Sequence, residues 1–333
     1  MKKHYSIIFA FLFLFYSYSP DKQSQKNFSI QKLAPNVWAA INNDKRGHAI
    51  CNAGIVDLGD KTIVFDAFIN PDAATELKQA AELLTKHSVT FVINSHFHDD
   101  HTQGDQSFVP GASIISTEWT QNEIAKAEPE NLSDEKINID TVLQNAKHEW
   151  QVATGMEKEE DLMWLGYYEA IAQALPKIKI TLPDITFKDS LWIHGSKSNA
   201  VLYECSGHTN SDVVMVLPKE GIAFMGDLLF VERHPYLADG DPDSMKNTLE
   251  RFYKDASIRT YVPGHGSVAG KEKLQILIQY IDQLEQLSAN AVTQNLSDSV
   301  FVKTAIPTQY KNWWFGRFYA DNLSFLYDRA KKQ

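Results

Sequence analysis

The chain has 333 residues, 44% of them hydrophobic, and a formal net charge of −10. A chain of this length buries a sizeable core and fits one large domain or two small ones. Lys and Arg are outnumbered by Asp and Glu and form no basic run. This excludes nucleic acid as an expected partner, because affinity for a phosphate backbone comes from clustered basic side chains.

The first residues predict a secretion signal. Lys2 and Lys3 precede a short apolar run over residues 5–18, and a polar stretch follows. The run is shorter than the roughly 20 residues of a membrane-spanning helix. We therefore predict a signal peptide over residues 1–19 and an exported protein, periplasmic or secreted, with no stable membrane span beyond the signal. An uncleaved anchor is the alternative.

The chain has two cysteines, Cys51 and Cys205. Two cysteines in a chain this long do not make a disulfide framework. In an exported protein they either pair with each other or lie as separate thiols in buried strands.

Short apolar segments bounded by Gly- and Asp-rich turns predict strands in the first part of the chain. These segments lie at residues 28–33, 37–42, 49–58 and 61–68. Residues 71–87 begin with Pro71 and carry apolar side chains at helical spacing, which predicts a helix. Residues 90–96 then predict a buried strand whose end leads into a histidine-rich segment.

Residues 118–180 are rich in Glu, Lys and Ala with scattered aromatic residues, and they predict several helices. Strands are expected again over 185–207 and 212–230, and helices over 243–254, about 270–290 and the C-terminal segment. This order of elements predicts an α/β sandwich. We expect one domain over 28–270, in which 118–180 is a helical insertion, either a cap over a site or a partner surface. Residues 271–333 are expected to pack on the same domain as C-terminal helices.

The segment INSHFHDDHTQGD, residues 93–105, holds three histidines and three aspartates. His96 and His98 are two residues apart, so on extended chain both imidazoles point the same way and reach one ion at roughly 2.0–2.1 Å. Asp100 and His101 follow a turn and are better placed for a second ion. Two histidines do not complete a zinc site, which needs three or four protein ligands.

Three downstream motifs offer the missing ligands. His208 in ECSGHTNSD, Asp227 in AFMGDLLF and His265 in YVPGHGS each stand near the end of an apolar strand, beside a glycine that permits a tight turn. Each motif alone is most often an ordinary turn. Together with the His-x-His-x-Asp-His segment, and in this order, they predict a metal site.

This combination resembles the metallo-β-lactamase fold superfamily. His96, His98, Asp100 and His101 match its hallmark motif, and the three downstream residues match its later ligand motifs. The resemblance covers about residues 30–270 and implies a four-layer αβ/βα sandwich with metals at one edge of two sheets. It also implies that His96, His98 and His208 hold one ion, that Asp100, His101 and His265 hold another, and that Asp227 bridges both.

The bridging aspartate narrows the resemblance. The best-known antibiotic-destroying subclass has a cysteine at the position of Asp227, whereas glyoxalase II-like thioesterases and quorum-signal lactonases have an aspartate. His98 argues against flavo-diiron proteins, which carry glutamate there. The nitrogen and oxygen donors suit two Zn²⁺ ions, with iron or manganese as alternatives.

The resemblance implies a zinc-dependent hydrolase of a small molecule, in which a hydroxide that bridges two ions cleaves an ester, thioester, lactone or amide-type bond. Asp100 and Asp227 are the candidate catalytic residues, because a ligating carboxylate still hydrogen-bonds a proton bound for the leaving group. The alternatives are β-lactamase-type activity, a mononuclear iron sulfur dioxygenase and a non-catalytic binding module of the same fold.

Arg233 and His234 follow GDLLF, where the chain leaves the predicted metal edge, and are the candidate substrate-binding residues. Arg233 either clamps a substrate carboxylate or forms a surface ion pair with a neighbour such as Glu232. The aromatic residues near Trp164 either line an apolar pocket or belong to the core. Substrate identity and oligomeric state stay open, because fold and metals are shared by many activities.

Overall fold

A computed structural model describes residues 22–24, 26–43 and 45–332. The predicted signal peptide at residues 1–19, and with it the predicted export, lies outside these residues. Within the described part of the chain, no helix has the length and apolar character needed to cross a membrane.

The first sheet has eight strands that lie side by side in chain order. Neighbours are antiparallel from the first strand to the fifth and parallel from the fifth to the eighth. The strands are β1 (Lys22–Ser24), β2 (Phe28–Ala34), β3 (Val37–Asn42), β4 (Ala53–Asp57), β5 (Thr62–Phe65), β6 (Val89–Ile93), β7 (Ser113–Thr117) and β8 (Ile185–Phe187).

The second sheet has five strands in the order β13-β12-β11-β10-β9. Its neighbours are antiparallel except for the parallel pair of β12 and β13. The strands are β9 (Ser190–His194), β10 (Asn199–Cys205), β11 (Asp212–Leu217), β12 (Ile222–Phe224) and β13 (Thr260–Val262).

The described residues also form eight α-helices, three of which begin with a side-chain cap. In the first helix Asn70 accepts a hydrogen bond from the Ala73 N–H and Pro71 occupies the first turn, as helix starts favour. The helices are α1 (Pro71–Thr85), α2 (Asp99–Thr102), α3 (Glu118–Val152), α4 (Gly155–Ala174), α5 (Pro242–Lys254), α6 (Glu272–Thr293), α7 (Asp298–Phe301) and α8 (Arg317–Ala330).

Alternation along the strands places side chains in three apolar layers. Val37 and Ala39 of β3 face the second sheet, where they pack with residues such as Val213. Trp38 and Ala40, between them in sequence, face the other way and pack in the layer that contains α1. The outer face of the second sheet is covered by α5, α6 and α8. The predicted four-layer α/β sandwich is therefore confirmed.

Among the predicted elements that are shorter in the structure, two bear on the site. The strand expected over residues 49–58 begins only at Ala53, because Ile50 has a φ of 55° and turns the chain out of the extended conformation. The C-terminal helix begins at Arg317, because Phe315 has a φ of 65°. Both shortened ends leave a loop that reaches the site described next.

Candidate metal centre

The seven predicted site residues stand on loops at one edge of the two sheets. His96, His98, Asp100 and His101 follow β6 and continue into α2. His208 lies between β10 and β11, Asp227 follows β12, and His265 follows β13. Because each of these segments follows a strand, the sheets fix the position of the segment while one side stays open.

The structure brings these side chains together in three overlapping groups of potential ligands, one of which joins Asp100 and His101 to Cys51 while the other two consist of predicted site residues alone. His96, His98, His208 and Asp227 form one group, and His101, Asp227 and His265 form another, each with its potential ligand atoms within 4.8 Å of one another. Asp227 belongs to both of these groups. The Asp100 carboxylate lies beside the second group, with Oδ2 3.3 Å from His265 Nε2 and 3.4 Å from His101 Nε2.

The spacing of the atoms fits a shared cation. Ligands at about 2.0–2.1 Å from a tetrahedral zinc ion lie roughly 3.3 Å apart. His98 Nδ1 is 3.0 Å from His208 Nε2, and Asp227 carboxylate oxygens are 3.2 Å from His101 Nε2, 3.3 Å from His265 Nε2 and 3.5 Å from His208 Nε2. His96 Nε2, His101 Nε2 and Asp227 Oδ1 are buried without a hydrogen-bond partner, which a ligand role explains.

The protonation states of most of the cluster also suit a cation. Burial lowers the pKa of His96 well below its ordinary value and that of His208 to about 3, so both imidazoles are neutral. Burial alone would raise the pKa of Asp227, but His265 and His101 outweigh it and hold the pKa well below its usual range. The same carboxylates act on His265: burial would lower its pKa, yet Asp227 and Asp100 raise it to about 9. Although burial would lower them too, neighbouring groups, the carboxylates among them, raise the pKa values of His98 and His101, so the carboxylates and these histidines stabilise one another's charged forms.

Hydrogen bonds from surrounding groups fix the ring orientations. His101 Nδ1 lies 2.8 Å from Asp66 Oδ2, and the other Asp66 oxygen accepts from the Ser95 N–H. His98 Nε2 lies 2.9 Å from Asp239 Oδ2, and His265 Nδ1 lies 3.1 Å from the Ile50 carbonyl oxygen. Each contact engages the ring nitrogen that faces away from the cluster, as in metal sites where an outer acceptor fixes the histidine tautomer.

The motif glycines make room for this arrangement. A Cβ on Gly264 would stand 1.9 Å from Asp227 Oδ1, and one on Gly207, whose φ is 153°, would stand 2.5 Å from the Met245 backbone. Next to Gly207, the Asp212 carboxylate accepts from the His208 and Thr209 N–H groups and holds the turn that carries His208. Both positions therefore require glycine, because a side chain on Gly264 would displace Asp227 and one on Gly207 would displace the turn that carries His208.

A cavity of about 200 Å³ opens over the cluster. Its floor includes Asp100, Asp227 and three of the histidines. Its sides are aromatic, and we call them the aromatic wall: Trp164, Tyr167, Phe230, Tyr236, Phe315 and Phe318. The wall joins α4 of the helical insertion to the start of α8, with ring centroids of Trp164 and Phe315 5.1 Å apart. The insertion thus covers one side of the site.

Neither Arg233 nor His234 lines this cavity, and their role in substrate binding stays a prediction. Arg233 is 8% exposed, donates to the Glu232 carbonyl oxygen and lies over the Trp314 ring. His234 is fully buried, with Nδ1 2.9 Å from the Tyr280 hydroxyl. The backbone after Asp227 brings Phe230 and Tyr236 to the cavity, while the side chains of Arg233 and His234 between them are buried elsewhere.

Both cysteines are free thiols. Cys51 is fully buried beside the cluster, where its thiol donates to the Asp100 carbonyl oxygen. Cys205 is partly buried, and burial raises its pKa to about 12. Of the two alternatives left by the sequence, the structure shows separate thiols.

Two sheets packed between helical layers, with histidines and aspartates gathered at one sheet edge, define the class of protein. A sequence model of the metallo-beta-lactamase superfamily matches residues 46–110 and 143–265, more than half of the chain. The chain therefore belongs to the metallo-beta-lactamase superfamily.

Solved structures share this fold at low sequence identity. A metallo-beta-lactamase from Pontibacter korlensis is 16% identical with a TM-score of 0.56, over 77% of this chain and 99% of that one. One from Erythrobacter litoralis is 16% identical with a TM-score of 0.55, over 79% and 100%. The metallo-beta-lactamase FIM-1 from Pseudomonas aeruginosa, in its mono-zinc form, is 16% identical with a TM-score of 0.52, over 77% and 96%.

Proposed function

We propose that the protein is a dinuclear zinc-dependent hydrolase that cleaves an ester, thioester, lactone or related amide-type bond in a small molecule. The observation that carries the proposal is the position of Asp227, whose carboxylate belongs to two of the three groups of potential ligands. A carboxylate with two oxygens directed to two groups is the chemistry of a bridge between neighbouring cations.

The residues divide between two ions. His96, His98 and His208 would hold the first, Asp100, His101 and His265 the second, and Asp227 both. The set is built from imidazole nitrogens and carboxylate oxygens, which suit Zn²⁺ and also bind iron or manganese. When bound, such ions lower the pKa of a shared water and polarise a substrate carbonyl.

The residues that line the cavity indicate how hydrolysis would proceed. Among the described residues that line the cavity there is no Ser or Cys, so water is the nucleophile. Asp100 lines the cavity, and although burial would raise its pKa, His101 and His265 hold the pKa well below its usual range. Its carboxylate is thus ionised, and the oxygen that does not hold the ion would accept the proton that water loses and return it to the leaving oxygen, sulfur or nitrogen. The aromatic wall keeps other water away from the reacting carbonyl.

Asp227 also favours one branch of the superfamily. A carboxylate here, with both cysteines elsewhere, supports the thioesterase and lactonase type over the cysteine-bearing β-lactamase type. A single bound iron per chain is what a sulfur dioxygenase requires, and metal analysis separates the two.

The test is to load the purified protein with zinc, measure metal content, and assay a lactone, a thioester, an ester and a β-lactam side by side. We expect two zinc ions per chain and turnover of the first three substrates. Asp227→Ala should lose metal and reduce kcat/KM at least about 100-fold, because it removes the bridge.

Asp60→Asn is the matched control. Asp60 is an exposed turn residue that pairs with Lys61 and is not one of the cluster residues. Unchanged zinc content and turnover in Asp227→Ala would contradict the bridging role. Absence of any hydrolysis by the two-zinc protein would contradict the proposed function.

A further inference from the structure

The cavity over the cluster has an unusual charge distribution for a site that binds a small molecule. Among the described residues that line it, none is Lys or Arg, and the titratable groups of Asp100, Asp227 and three histidines all lie on the floor rather than in the aromatic wall. A third carboxylate, Asp239, contacts His98 at the same edge. A substrate carboxylate held within the aromatic wall, away from the ions that the floor would bind, would therefore have no Lys or Arg beside it.

The nearest guanidinium groups serve the protein instead. Arg233 lies behind the wall residue Phe315, with its Cζ 5.9 Å from the ring centroid, and is 8% exposed. Arg317 lies 4.1 Å from the Trp164 ring centroid and donates to the Tyr168 hydroxyl. Arg317 lines a separate surface cavity with Glu160 and Asp161, so neither guanidinium offers a carboxylate a counter-ion at the site.

The aromatic wall is a packed unit rather than a set of loose side chains. Phe318 lies 5.5 Å from Tyr236, 5.8 Å from Phe315 and 6.0 Å from Trp164 between ring centroids. Glu160 connects the two segments behind it, accepting from the Trp164 Nε1–H at 3.2 Å and from the Gly316 N–H at 3.0 Å. A wall braced in this way selects by size, because closely packed aromatic side chains yield little.

The volume sets the size of the group that fits. The cavity holds about 200 Å³, which is below the roughly 300–1,000 Å³ of sites for drug-sized ligands. An apolar cavity of about 150 Å³ accommodates benzene. A single ring or a short branched chain therefore fills the space between the wall and the cluster.

We propose that the substrate is an uncharged ester, thioester or lactone whose acyl side carries one small apolar group, about the size of a phenyl ring, held against the aromatic wall. This inference rests on the proposed hydrolase function and adds the charge and size of the group that is recognised. Substrates with a carboxylate on that group are disfavoured, because within the aromatic wall the charge would be desolvated without a Lys or Arg beside it.

The test compares two esters that differ only in charge. Zinc-loaded protein is assayed with 4-nitrophenyl phenylacetate and with the same ester carrying a carboxylate at the para position of the phenyl ring. We expect kcat/KM for the uncharged ester to exceed that for the charged ester by about 100-fold or more. Equal turnover, or a preference for the charged ester, would overturn the inference and leave the hydrolase proposal standing.

A variant series separates charge from shape. Phe318→Arg places a guanidinium on the wall and should improve kcat/KM for the charged ester at least about tenfold, whereas Phe318→Gln adds polarity without charge and should not. Tyr236→Arg serves the same purpose if Phe318→Arg does not fold. Failure of both arginine variants to improve the charged ester would refute the role of charge.

Binding of phenylacetamide, an uncharged and slowly hydrolysed amide, is measured by calorimetry on the same protein. Trp164→Ala should weaken it at least about tenfold, and Trp192→Ala, which removes a half-exposed tryptophan on β9, should not. Phenylacetamide binding without turnover of any ester would contradict the proposed function but not the recognition of an uncharged group. Equal binding by both tryptophan variants would contradict the recognition itself.

Discussion

A methyl group at Gly264 tests whether the position of Asp227 controls metal binding. Gly264 lies between β13 and His265, and its N–H donates to the Gly226 carbonyl oxygen at 2.7 Å. In Gly264→Ala the new Cβ would stand 1.9 Å from Asp227 Oδ1, 2.8 Å from the Gly226 carbonyl carbon and 3.0 Å from the Asp227 nitrogen. Two of these three atoms belong to the backbone, so a rotation of the Asp227 side chain alone does not relieve the contacts.

The magnitude follows from these distances. To reach the 3.4 Å at which ordinary contact begins, Asp227 Oδ1 has to retreat by about 1.5 Å. Metal–ligand distances tolerate changes of about 0.2 Å, so the carboxylate leaves both groups at once. Because loss of even an outer contact costs roughly 10–100-fold in metal affinity, we expect the zinc affinity of Gly264→Ala to fall at least about 100-fold.

The assay is competition with a chromophoric chelator, together with metal content after dialysis and circular dichroism to confirm the fold. Gly111→Ala is the control, since a Cβ there would have its nearest neighbour, the Phe108 carbonyl oxygen, at 3.4 Å. A folded Gly264→Ala protein that keeps two zinc ions with unchanged affinity would refute the argument that Asp227 holds them.

Three further predictions concern contacts around the site and within the helical layer. Asp239→Ala should weaken zinc binding about 10–100-fold while Asp239→Asn, which still accepts from the His98 ring, keeps most of it; chelator competition distinguishes them, and equal loss in both would contradict this role. Glu160→Ala should lower the free energy of unfolding by about 2 kcal/mol by leaving two buried donors without an acceptor, whereas Glu160→Gln should stay near wild type in denaturant titrations. Lys246, which pairs with Glu285 and Asp282, has a raised pKa because these contacts outweigh burial; its stabilisation is therefore present below the lysine pKa of the unfolded chain and is lost as the pH rises. Lys246→Met should lower the free energy of unfolding by about 1 kcal/mol near pH 8. If the difference in unfolding free energy between wild type and variant persisted undiminished above pH ~12, the ion pairs of Lys246 would not be its source.

The residues of the cluster could be predicted from the sequence because each one is marked by a pattern in its immediate neighbours. His208, Asp227 and His265 each combine a strand end with a neighbouring glycine, and the structure places each of them at one sheet edge with the His96 segment. The two-residue alternation along β3 likewise gave the layered fold. Such signals lie within a few residues and need no knowledge of the rest of the chain.

The supporting contacts carry no such local signal. Asp66 is 35 residues from His101, and Asp239 is 141 residues from His98; each follows an unremarkable pattern, and only folding brings it to its histidine. The cavity depends on backbone turns at Ile50 and Phe315, where φ is positive without a glycine. Periodicity predicted strand and helix through these positions, since the propensity of a residue does not reveal a conformation imposed by tertiary packing.

The chain order of the first sheet has a consequence for synthesis. All eight of its strands precede residue 188, so this half can form while the rest is still on the ribosome. It then presents His96, His98, Asp100 and His101 without Asp227, which two of the three groups of potential ligands need, whereas the group of Cys51, Asp100 and His101 lies wholly in this half. A cation captured there would join the two halves after translation is complete, and its binding energy would appear as resistance of the finished protein to separation of its sheets.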